Sequence, residues 1–123
     1  MSWAAPIIAD FGRSIGIQSL AVDDGGGVSL AFGDDGLLCL EPTDGELLVY
    51  LVREVLPHDV AVKLRALALC RPDRHWPWPV QAGSRGPGRL LFLTRLPQHA
   101  ASLATIEQAM DLLTRLHGMV RQG

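Results

Sequence analysis

Apolar and polar positions along the 123 residues change period several times, and each change marks an element. Ile7, Ile8, Phe11 and Ile15 fall on one helical face. Pro6 suits an early helical turn and Gly16 a stop, so a first helix is expected over about Ala5 to Ile15. Three short strands should follow. Leu20-Ala21-Val22 ends at the turn cluster Asp23 to Gly27. Val28, Leu30 and Phe32 alternate with Ser29, Ala31 and Gly33, a period of two. Asp34-Asp35-Gly36 is a hairpin signal, because glycine adopts positive φ cheaply, and Leu37 to Glu41 is the third strand.

Glu46 to Leu56 is apolar on both parities through Leu47-Leu48-Val49-Tyr50-Leu51-Val52. A strand of this kind is covered on both faces; a helix competes, but Val, Tyr and the preceding Gly45 favour the strand. A second helix is expected from Pro57-His58-Asp59 to about Cys70. It has two apolar stripes, one of Val60, Leu64 and Leu67 and one of Val62, Ala66, Leu69 and Cys70. One stripe suffices for a surface helix, so two point to a core on one side and a second subunit on the other. Trp76-Pro77-Trp78-Pro79-Val80 fits only an extended edge segment, since proline lacks a ladder donor. Arg89 to Leu96 is the last strand. A final helix begins near Ser102 or Thr105, where Thr105-Ile106-Glu107-Gln108 fits a capping box. Its stripe is Ile106, Ala109, Leu113, Leu116 and Val120, widened by Met110. The expected fold is α+β: three helices with a twisted antiparallel sheet of about five to six strands, in one domain over residues 1–123.

Composition adds little to this picture: 48% apolar and 20% charged residues are a globular balance. Charge adds more. Residues 1–54 hold nine acids and two bases, and residues 55–123 four acids and nine bases. The acids fall mostly at turns, where they form a solvated rim or a surface that selects partner charge. The bases are scattered without a stacking platform, which disfavours nucleic acid. Neither a signal-peptide pattern nor a membrane-length apolar run is present, so a cytoplasmic protein with reduced Cys39 and Cys70 is expected.

Candidate chemistry is sparse. Gly12-Arg13-Ser14-Ile15-Gly16 matches a nucleophile-elbow pattern, but at the end of a helix instead of after a strand. His58, His75, His99 and His117 lack metal-ligand spacing and are expected at the surface or at caps. The Asp23-Asp24 and Asp34-Asp35 pairs lack the alternating donors of a calcium loop. Gly25-Gly26-Gly27 leads into a strand and not into a phosphate-binding helix. No enzyme, cofactor or metal is expected. What remains is apolar surface, including Trp76 and Trp78, which cap the core, join a dimer seam or touch a partner.

The order of elements, with several local stretches, resembles the class I type III secretion chaperones, the CesT-like and SycE-like group. The stretches are Phe11-Gly12 through Gly16-Ile17, Asp23-Asp24-Gly25, Leu48 to Val52 closing on Leu56-Pro57, Leu64 to Leu69, and Leu91 to Pro97 followed by the Ile106–Leu116 helix. Cys70-Arg71 stands where that family often has Ala-Asn, and Trp76 to Gly88 is unusually rich in Pro and Gly. The resemblance implies a homodimer in the bacterial cytoplasm. It would bind the N-terminal segment of a secreted effector in extended form, keep it secretion-competent and present it to the secretion apparatus, without cofactor, nucleic acid or membrane insertion. An open sheet edge beside apolar grooves suits such a segment. The partner-binding candidates are Ile8, Phe11, Leu20, Val22, Leu30 and Phe32. The dimer-seam candidates are Val62, Ala66, Leu69, Trp76 and Trp78. The alternative is a regulatory or assembly-subunit module that binds a folded partner.

Overall fold

A computed structural model describes residues 3–18, 20–33 and 36–122. Its order is α1 (Ala5–Ser14), β1 (Val28–Phe32), β2 (Gly36–Pro42), β3 (Glu46–Glu54), α2 (Val60–Leu69), β4 (Val80–Ser84), β5 (Arg89–Pro97), a 3-10 turn at Gln98–Ala100, and α3 (Leu103–Gln122). The five strands form one antiparallel sheet in the order β1-β2-β3-β5-β4. β3 lies at the centre, and β1 and β4 are the edges.

The expected strand at Leu20 to Val22 does not form. These residues run irregularly, and Asp23 closes the turn behind them. The Asp23 carboxylate accepts from the Gly25 and Gly27 amides at 2.9 and 2.8 Å. Side-chain bonding of this kind competes with a sheet ladder for the same backbone groups. The Asp34-Asp35 hairpin turn lies outside the described residues.

Two helix ends are fixed by local chemistry. At the end of α1, Gly16 has φ +87°, the Gly16 amide donates to the Arg13 carbonyl at 3.1 Å, and the Ile17 amide donates to the Gly12 carbonyl at 2.8 Å. This is a Schellman ending, which needs a left-handed residue where Gly16 stands. At the start of α3, Ser102 is the cap, in place of the Thr105 box. The Thr105 amide donates to the Ser102 hydroxyl at 3.2 Å, and the Ser102 amide donates to the Thr105 hydroxyl at 2.8 Å. Thr105 thus takes the reciprocal role that a Glu or Gln has in a capping box.

All three helices cover the same face of the sheet. α3 packs on β3 and β5, with α1 and α2 beside it. Leu47, Val49 and Leu51 of β3 point into this layer with Leu38, Leu40, Leu90, Phe92 and Leu96, and all are buried. They meet Ile8 and Phe11 of α1, Val62, Ala66 and Leu69 of α2, and Ile106, Leu113 and Leu116 of α3. The period of two sends Leu48, Tyr50 and Val52 to the other face. There they join Cys39 in a small cluster flanked by Leu37, Leu91 and Leu93. The two-sided burial expected of β3 is thus achieved by helices on one face and by neighbouring side chains on the other.

His117 departs from the surface or cap position expected of it. It is buried under α3, its Nε2–H donates to the Leu51 carbonyl at 2.8 Å, and its ring meets Phe92 edge-on at 4.9 Å.

Candidate functional site

The Schellman ending of α1 turns the chain back across the helix. Gly12 permits this close return: a Cβ there would lie 2.9 Å from the Leu20 side chain. Two clefts lie beside α1, one against the returning segment and one against edge strand β1. The smaller, of about 320 Å³, is lined by Ala5, Ile8, Ala9, Leu20 and Val22. The larger, of about 490 Å³, is lined by Phe11, Ile15, Leu30, Phe32 and Met110. Ile17 lines both.

All six residues expected to bind a partner therefore line these adjoining clefts. Their depths differ. Ile8 and Phe11 are buried and form the floor, Leu20, Leu30 and Phe32 are half-buried walls, and Val22 is 55% exposed at the rim. Ile15 and Ile17 were not among the six. They are exposed, and their placement on either side of a left-handed glycine is the signal that could have found them. The Arg53 guanidinium sits 6.0 Å from the centroid of the Phe32 ring, close enough for a cation–π contact that orients the ring. β1 has a strand neighbour on one side only, and its residues Leu30, Ala31 and Phe32 line the larger cleft. The arrangement offers apolar anchoring sites next to a free strand edge.

Residues 3–121 match the family model of the type III secretory system chaperone SycN. The chain belongs to this family. Chaperone protein SycN of Yersinia enterocolitica is 27% identical over 117 residues, covering 94% of each chain. Among solved structures, the ExsC–ExsE complex matches with a TM-score of 0.72 at 21% identity, over 96% of this chain and 91% of that one. The Yersinia pestis type III secretion chaperone SycH, solved in complex with a stable fragment of YscM2, matches with a TM-score of 0.68 at 14% identity, over 96% and 97%. The likeness to these structures is one of fold. The protein is a type III secretion chaperone, a member of a non-enzymatic binding family.

The chaperone's second helix places the expected seam residues differently from expectation. Val62, Ala66 and Leu69 are buried in the chain's own core. The other stripe is the exposed one: Val60, Leu64 and Leu67 are 62, 61 and 61% exposed, beside Leu56 at 73%. Trp76 and Trp78 are half-buried against the core. Trp76 donates its indole N–H to the Leu69 carbonyl at 2.7 Å, closing the end of α2. The periodicity showed two stripes, and only the packing of α3 and β4 on α2 shows which one is left outside.

Polar groups in the chaperone serve the fold. Ser14 donates to the Phe11 carbonyl at 2.7 Å on the last turn of α1 and is not presented as a nucleophile. Tyr50 donates to Glu41 on the open face of the sheet, with the Arg85 guanidinium 5.9 Å from its ring centroid. Burial, then the bond to Glu41, push the phenol well above its ordinary value. Burial likewise raises the Cys70 thiol. Among the described residues, no group of three or more His, Cys, Asp or Glu could hold a metal ion, and no helix is long and apolar enough to cross a membrane.

Proposed function

We propose that this chaperone binds the N-terminal region of a secreted effector in extended form, through the two clefts beside α1, one against the returning segment and one against β1. The pair of adjoining apolar clefts beside a free strand edge carries this reading. Effector side chains enter the clefts while the effector backbone runs along β1, where main-chain hydrogen bonds are available. Holding the segment this way shields its apolar residues and keeps it unfolded for the secretion apparatus. The site of action is the bacterial cytoplasm. The chaperone works as a homodimer, and its seam is the outer stripe of α2, Val60, Leu64 and Leu67, with Trp76 and Trp78 alongside. Exposed apolar rows of this kind mark protein contacts.

The test is co-purification of the tagged chaperone with a partner from its own bacterium, followed by limited proteolysis of the complex. The expected result is one secreted protein protected over an N-terminal stretch, with the protection lost in a folded Phe32→Asp variant. A folded partner with no protected extended stretch, or binding untouched by Phe32→Asp, overturns the reading and favours a regulatory or assembly module.

A further inference from the structure

The clefts are apolar, but the chain that builds them is strongly acidic, and this bears on what they accept. From Ala5 to Gly36, the stretch that supplies α1, the returning segment and β1, there are five acids, Asp10, Asp23, Asp24, Asp34 and Asp35, against the single base Arg13. Arg13 is paired with Asp10 on the exposed side of α1. Asp23 is held in its turn by two backbone amides, just past the Val22 rim of the smaller cleft, and the exposed Asp24 follows it. Asp34 and Asp35 follow Gly33, which lines the larger cleft. Against the wall of the larger cleft, the Arg53 guanidinium lies over the Phe32 ring. The chain's surplus of bases lies beyond residue 54.

We infer that the site selects, among extended apolar segments, those whose anchors are flanked by lysine or arginine. This rests on the clefts being the partner site, as proposed above, and adds the chemistry of the occupant. The apolar floors supply affinity without telling one apolar segment from another. Asp23 and Asp24 beside the smaller cleft, within an acidic stretch of chain, add long-range attraction for a cationic segment and repel an anionic one. Complementarity of this kind chiefly sets encounter rate and specificity. Because Asp23 and Asp24 are exposed, the selection is screened by salt, with a Debye length falling from about 10 Å at 0.1 M to about 3 Å at 1 M.

The experiment pans a random-peptide phage library on the intact chaperone. Segments that also bind the neutral variants Val22→Asn and Ile17→Asn, both at exposed positions, are discarded as independent of the site. The retained segments are expected to pair two apolar anchors with an excess of Lys and Arg. Their affinity should fall about tenfold or more from low to high salt. The exposed-site variant Asp24→Lys should weaken them by about twofold to fivefold at low salt. Site-dependent segments with no charge bias and no salt effect would overturn the charge selection while leaving the clefts as the partner site. Recovery of no site-dependent segment would overturn the site reading and this inference with it.

Discussion

His117 shows how a single polar residue is accommodated in an apolar core. Burying an imidazole without a partner is costly, and here the Leu51 carbonyl of the central strand takes its Nε2–H while Phe92 packs against the ring. His117→Ala should lower stability by about 2–4 kcal/mol in urea unfolding, because it leaves a cavity and removes the bond. His117→Phe, which keeps the volume, should cost clearly less. Equal losses for the two would mean that the hydrogen bond, and not the packing, is what stabilises the site. Gly12 and Gly16 act at the same scale: one admits the Leu20 side chain and the other adopts the left-handed turn, and together they set the walls of the clefts.

Among the elements, α2 divides its two stripes between different tasks. The inner stripe joins the core, and its neighbours leave no room there for a charge. The outer stripe exposes three large aliphatic side chains along one ridge. Leu64→Asp should therefore leave the fold intact and weaken self-association at least tenfold, about 1.4 kcal/mol, as measured by light scattering over a dilution series. Ala66→Asp, two residues on and so on the opposite, inward side of the helix, should instead unfold the protein, because it buries an unpaired carboxylate. An unchanged oligomer for Leu64→Asp would remove α2 from the seam.

Across the whole molecule, stability follows position in the sheet. β3 is flanked by β2 and β5 and roofed by α3, whereas β1 and β4 each have one neighbour. Hydrogen exchange should be slowest in β3, β5 and the middle of α3, and fastest in residues 20–26 and along the outer edges of β1 and β4. If binding adds a strand to β1, a saturating partner should slow exchange there selectively. Slowing confined to α2 and β4 would place the partner at the other edge. The same map separates the two proposed surfaces, since the clefts lie at the β1 end of the sheet and the outer stripe of α2 belongs to the helix that contacts β4.

Local rules were enough for much of the fold. Period-two alternation located β1, the two-parity apolar run located β3, and helical spacing with Pro6, Gly16 and Ser102 located α1 and the start of α3, because these signals depend on residues a few positions apart. The strand expected at Leu20 to Val22 failed, since the Asp23 turn and the return over Gly12 depend on where α1 ends and not on the propensity of three residues. The six cleft residues were legible as an apolar set, because they share periodicity with the core. Which of them are floor, wall or rim was not, because depth depends on helix placement. The second helix presents the same limit in its sharpest form. Helical spacing along the chain is enough to give α2 two apolar stripes. That Val62, Ala66 and Leu69 face the core while Val60, Leu64 and Leu67 stay outside emerges from the packing alone. The two stripes are nearly equal in hydrophobicity, so the choice between them is made by the elements that pack against the helix.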